Sequence, residues 1–137
     1  MKFGKVEKHI NEMLEEKGAL LFMLIDPVDY PNGDAAIKAG TDALNSGADC
    51  LLIGGSIGAQ GELLDYVAKG VKEETNVVKP IILFPVNIAT ISRYADAIYF
   101  MSLLNARNPY WLIQAQLLSA PLINQIGIEP LPVGYIV

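Results

Sequence analysis

The chain has 137 residues, 52% of them hydrophobic and 18% charged, with a formal net charge of −5. This length makes one ordinary domain with enough material for a core. The acidic balance excludes a nucleic-acid binder, which needs clustered Lys and Arg for phosphate contacts, and leaves any anionic substrate to a metal, helix N-termini or a few local cations.

The single cysteine, Cys50, excludes an intramolecular disulfide and reads as a small buried hydrophobe at a strand start. Met1 to Gly18 is charged and shows no signal-peptide pattern, so the expected location is the cytoplasm. Over residues 5–17, Val6, Ile10, Met13 and Leu14 share one helical face, and Gly18 stops the helix. His9 falls on the solvated side.

Leu20 to Ile25 is an apolar run that predicts a first strand, ending at Asp26-Pro27. Pro31 and Gly33 mark a turn, and Asp34 is placed to cap a helix through Asn45, closed by Ser46-Gly47. A second strand, Cys50 to Ile53, ends in Gly54-Gly55-Ser56. After Gly61, a helix carries Leu63, Leu64, Val67, Ala68 and Val71 on one face. A third strand, Ile81 to Phe84, closes with Pro85-Val86-Asn87, and a short helix is expected around residues 88–94. The fourth strand, Ile98 to Leu104, ends abruptly in Asn105, Arg107 and Asn108. Pro109 then opens a long helix with Asn108 as its N-cap. Gly127 stops that helix, and Leu131 to Val137 predicts a fifth strand.

Strands alternating with helices imply a parallel sheet with right-handed crossovers. In a dinucleotide-binding open sheet the first strand runs into a Gly-rich turn. Here it runs into Asp26-Pro27, and the glycines from Gly54 to Gly61 lack the G-x-G-x-x-G spacing. The expected fold is therefore α/β, a TIM (β/α)8 barrel with only its N-terminal half, strands 1 to 5, in this chain, because a full barrel takes about 250 residues. Residues 1–137 are expected to be that half of a single domain, a piece of a longer protein. The alternative is a half-barrel that dimerises to close.

Barrel strands converge their C-termini on one face, which places Asp26, Ser56, Asn87 and Asn105 around one mouth. Adjacent strands lie about 4.8 Å apart, so Asp26 and Ser56 are spaced to share a ligand. A carboxylate plus a hydroxyl is a hard oxygen pair suited to Mg2+ that keeps several waters and binds substrate phosphates; the bland alternative is that both residues cap local turns. The unhindered amides of Gly54 and Gly55 can approach an anion. Arg107 is the cation of the polar cluster, for an anion or a surface ion pair. Tyr135, on the last strand, is read from the residues alone as core.

Between Asn108 and Glu129 no residue is charged. Polar residues and Pro121 argue against a membrane span, yet a barrel helix should show water a charged face. The helix is therefore expected to pack on another subunit, with Tyr110 and Trp111 as aromatic anchors; the competing expectation is peripheral contact with membrane lipid.

The run from Ala95 to Ile113, ADAIYFMSLLNARNPYWLI, resembles the signature of the archaeal geranylgeranylglyceryl phosphate synthases and their bacterial heptaprenylglyceryl phosphate relatives. Leu24 to Pro27, Gly40-Thr41-Asp42 with Ala48-Asp49, Ile53 to Ser56, Leu83 to Pro85, and Pro132 with Gly134 to Val137 are similar to that family in the same order. The resemblance implies a prenyltransferase in which the 3-hydroxyl of sn-glycerol 1-phosphate attacks C1 of geranylgeranyl diphosphate and diphosphate leaves. It implies Mg2+ on Asp26 and Ser56, and an apolar barrel top holding the prenyl chain, with Tyr135 lining it. Two positions depart from the family pattern: Asp29 stands where a lysine is usual, and Ala106 replaces a serine. The family's glycerol phosphate site and general-base glutamate lie on strands six to eight, so no catalytic base is expected in this chain, and the chain alone is expected to be inactive. The other expectations are a non-catalytic assembly module or another phosphate-handling barrel enzyme.

Overall fold

The computed structural model describes residues 4–55 and 57–137. In chain order the elements are α1 (Lys5–Lys17), β1 (Phe22–Ile25), α2 (Gly33–Asn45), β2 (Cys50–Gly54), α3 (Gly61–Glu74), β3 (Ile81–Phe84), β4 (Ala97–Leu103), α4 (Ala115–Ile126) and β5 (Glu129–Tyr135). All strand pairs are parallel, and the sheet order is β1-β2-β3-β4-β5. Unbroken sequential order is that of a barrel; an open doubly wound sheet reverses order at a switch point.

The alternation of side chains sorts two cores. One lies between the sheet and its helices and holds Ile25, Leu51, Ile53, Ile81, Leu83 and Ile98 against the inner faces of α2 and α3. The other lies on the concave face, where Cys50, Leu52, Ile82, Ala97 and Leu131 meet Val6, Ile10 and Met13 of α1. The apolar stripe of α1 therefore covers the interior of the half-barrel. Both ends of α1 are fastened. Glu129, the first residue of β5, accepts the N–H groups of Val6 (2.8 Å) and Glu7 (2.9 Å), as an N-terminal carboxylate should. The residue at the N-cap is Gly4, and any side chain there would collide with the Glu129 carboxylate. At the other end Lys17 pairs with Asp49 at 2.5 Å, and Gly18 closes the helix at φ 75°.

Four local expectations need correction. Residues 88–94 form turns, not a helix. Asn87 takes up the local amides instead: its Oδ1 accepts from Ala89 N–H (2.7 Å) and its carbonyl from Thr90 N–H (3.1 Å). Ser92 then ties the segment to Asp65 of α3 at 2.5 Å. The cap of α2 is Asn32, which accepts from Ala35 N–H at 2.9 Å, while Asp34 accepts from the Tyr66 hydroxyl. The helix after Asn108 begins with a π-helical turn over Tyr110–Gln114, with Asn108 Oδ1 accepting from Tyr110 N–H at 2.9 Å. Finally, β5 starts two residues early and includes Pro130 and Pro132.

Candidate functional site

The strand C-termini bring the first candidates together. Ile25 of β1 is in register with Ile53 of β2, so Asp26 and Gly54 leave their strands side by side. The turn is built from glycine for steric reasons. Gly54 has φ 128°, and a Cβ on it would stand 2.5 Å from the Phe84 carbonyl oxygen. Gly55 has φ 123°, and a Cβ on it would stand 3.2 Å from Asp26 Oδ2. The bare turn thus leaves room for the Asp26 carboxylate. Oδ1 of Asp26 accepts from Val28 N–H at 3.3 Å, and Oδ2 has no hydrogen-bond partner among the described residues. Oδ2 thus lies against the bare face of Gly55. Ser56, the expected second metal ligand, lies outside the described residues. Among the described residues no cluster of three His, Cys, Asp or Glu side chains could hold a metal, so a cation at Asp26 would keep mostly water and substrate oxygens.

From Gly55 an apolar groove of about 330 Å³ leads away, within the size range of small-molecule sites. It exists because the β3–β4 link is not helical: the helix layer has a gap between residues 88–91 and α4. The groove passes Phe84, Tyr99 and Tyr135 over the strand ends and descends between β4 and α4 to Ile98 and Ile123. Phe84 stands edge-on to both Tyr99 and Tyr135, each at 5.7 Å, which fixes the aromatic wall. Burial pushes the Tyr99 hydroxyl pKa up. Trp111 lines the groove and stands edge-on to Tyr110 at 4.7 Å. Gln116 supplies a polar point on this wall, donating to Ser102 Oγ at 2.7 Å.

The remaining candidates divide. Tyr135, read from the residues as core, lines the groove. Asn105 is exposed and turned to the chain beyond β5, donating to the Val137 carbonyl at 2.7 Å; it does not join Asp26. Arg107 is exposed and makes no ion pair among the described residues. Cys50 is buried on the concave face, its thiol pKa pushed up to about 12 by desolvation, as a packing residue should be. Sequence reasoning missed Phe84, Tyr99 and Gln116. The signal for the first two was their alternation with Leu83 and Ile98; for Gln116 it was a polar residue inside an uncharged helix.

Five parallel strands in sequential order, with polar groups at their C-terminal ends, define half of a (β/α) barrel. Residues 11–137 match the PcrB family, and the chain belongs to that family. It is 48% identical to the geranylgeranylglyceryl phosphate synthase of Pyrococcus horikoshii and 47% identical to that of Pyrococcus abyssi, over the whole of this chain and 52% and 53% of theirs. The chain thus spans about half the length of the curated relatives it matches. Among solved structures it resembles the wild-type GGGPS of Thermoplasma volcanium, with TM-score 0.81 and 33% identity over 93% of this chain and 51% of that one. It also resembles the (S)-3-O-geranylgeranylglyceryl phosphate synthase of Thermoplasma acidophilum, solved in complex with its substrate sn-glycerol-1-phosphate. There the TM-score is 0.83 and the identity 27%, over 98% of this chain and 53% of that one.

Proposed function

We propose that this chain is the N-terminal half of a Mg2+-dependent prenyltransferase that joins geranylgeranyl diphosphate to the 3-hydroxyl of sn-glycerol 1-phosphate. The observation that carries the reading is the shape of the site: the Asp26 carboxylate against a bare glycine turn, at the head of a groove lined by aromatic and aliphatic side chains. Such a site fits an amphiphile with an anionic head. The names of the relatives, and the glycerol phosphate complex of one of them, support the same reading.

In this reading the apolar groove holds the prenyl chain, and Tyr135 and Trp111 flank its entrance. Asp26 and Ser56 would hold Mg2+, which when bound stabilises charge developing on the leaving diphosphate. The Gly55 turn, which lines the head of the groove, faces the diphosphate, and Arg107 after β4 is the nearest cation in sequence to offer its oxygens a counter-charge. Orientation of C1 toward the acceptor hydroxyl is the contribution of this half. The C1–O bond to diphosphate breaks as the bond to the glycerol oxygen forms, and the hydroxyl proton goes to a base outside these 137 residues. The protein works in the cytoplasm and self-associates through the uncharged face of α4.

Transfer assays with labelled glycerol 1-phosphate test this. The 137-residue chain should give no product, and Asp26→Ala in a longer protein carrying both halves should abolish Mg2+-dependent turnover. Near-normal turnover by that variant would remove the metal assignment.

A further inference from the structure

β4 is longer than β3, and the difference leaves a notch at the head of the groove. β3 ends at Phe84, while β4 runs on to Leu103. β3 pairs with β4 at Ile82–Ala97 and Leu83–Ile98 and no higher among the described residues, whereas β4 pairs with β5 up to Leu103. The next rung would need an N–H from position 85, and Pro85 has none. Tyr99 to Leu103 therefore stand above β3 as a strand edge. Gly54 of β2 is in register with Phe84, so the Gly55 turn bounds the notch on the other side. From β2 to β4 the gap is two strand spacings, about 10 Å. Among the described residues no charged side chain lines the groove, so an anionic head that enters it meets neutral donors. These are cheaper to desolvate than a cation.

One such donor is backbone. The Leu104 N–H donates to the Tyr135 carbonyl, so Ser102 and Leu104 turn their backbone groups to β5, and alternation turns those of Met101 to the β3 side. No strand stands there at its level, and the Met101 N–H meets no acceptor among the described residues. The other donor is Asn87. Its Oδ1 accepts from Ala89 N–H at 2.7 Å, which settles the orientation of the amide. Nδ2 is then the atom turned away from Ala89, and it donates to no acceptor among the described residues. Asn87, Met101 and Gly55 all line the groove. We propose that Asn87 Nδ2 and the Met101 N–H donate to the phosphate oxygens of the prenyl diphosphate in the notch above β3. The assignment rests on the prenyl-transfer reading and adds to it the residues that hold the leaving group. Ala89 fixes one donor and the β4–β5 ladder fixes the other. Charge on those oxygens grows as the C1–O bond breaks, so donors already in place bind the departing diphosphate more strongly than the bound substrate.

The test is titration, followed by Trp111 fluorescence, with geranylgeranyl diphosphate plus Mg2+ and with geranylgeraniol, the same hydrocarbon without phosphates. Asn87→Asp keeps an oxygen for the Ala89 N–H and replaces the donor with an acceptor. It should weaken diphosphate binding about ten-fold or more and leave geranylgeraniol binding unchanged. Undiminished diphosphate binding, or an equal loss of both ligands, would overturn the assignment. The unsubstituted chain gives a second measurement that no folding defect can spoil. Its Asn87 side-chain and Met101 backbone N–H signals in nuclear magnetic resonance should shift when inorganic pyrophosphate and Mg2+ are added, and unmoved signals would overturn the assignment too. An unsubstituted chain that binds geranylgeraniol and not the diphosphate removes the prenyl-transfer reading and this assignment together. Tight diphosphate binding by both the unsubstituted chain and Asn87→Asp removes this assignment alone.

Discussion

Gly54 and Gly55 decide the geometry of the mouth, and each is glycine for a different reason. At Gly54 the obstacle is backbone, the Phe84 carbonyl, which cannot move without breaking the β2–β3 pairing. At Gly55 the obstacle is the Asp26 carboxylate itself. Gly54→Ala should therefore lower stability by roughly 2 kcal/mol, through positive φ and the clash together, seen as a lower urea midpoint. Gly55→Ala should cost less stability and more ligand affinity, because its methyl group crowds the Asp26 carboxylate oxygen 3.2 Å away. Equal effects of the two changes on the urea midpoint would contradict this division. At this scale the sequence was legible where residue type is forced. An acid closing an apolar run, next to a pair of glycines, marked the mouth. The placing of the Asp26 carboxylate against Gly55 and the turned-away side chain of Asn105 were not legible, because they depend on rotamers set by neighbours distant in sequence.

The elements show why the groove exists. Strands β1 to β4 were readable from apolar runs bounded by Gly, Pro, Asp and Asn, and α1 to α3 from their periodicity. The β3–β4 link was not. Its spacing allowed a helix, but Asn87 captures the local amides and Ser92 anchors to Asp65, so seven residues remain as turns and leave the helix layer open. The second element effect is α1, whose N-terminal clamp joins residues over a hundred positions apart and whose C-terminal clamp joins residues 32 apart. Glu129→Ala should free the Val6 and Glu7 amides, cost about 1 kcal/mol as a lost cap does, and abolish hydrogen-exchange protection there. At the other clamp, the hydrogen bond from Lys17, with the Leu21 amide, holds the Asp49 carboxyl below the usual carboxylate range. A depressed pKa contributes stability that is present above the unfolded value and is lost as pH falls through the folded one. The stability gap between this chain and Asp49→Asn should thus be widest near neutrality and narrow in acid below the usual carboxylate range. Urea denaturation at stepped pH would show it, and a constant gap would contradict it.

For the whole molecule, the charge-free stretch between Asn108 and Glu129 has become a visible surface. Leu117 is 72% exposed, Leu118 58% and Ile113 57%. Among the described residues no helix is long and apolar enough to cross a membrane. Trp111→Glu should lower the mass measured by light scattering; an unchanged mass would remove the subunit-contact reading and leave lipid contact. Barrel class and strand order were legible because buried parallel strands demand continuous apolar runs and short polar ends. The interior position of α1 was not, because its amphipathic pattern names an apolar face and not the surface that covers it. The proposed function holds that this half carries the prenyl groove and that the glycerol phosphate site lies on the other half. Trp111 is the only tryptophan in the chain and lines that groove, so its fluorescence reports on occupancy. Titration with geranylgeranyl diphosphate and Mg2+ should change the emission saturably, and sn-glycerol 1-phosphate should leave it unchanged; no response to the diphosphate, or an equal response to both, would contradict the account.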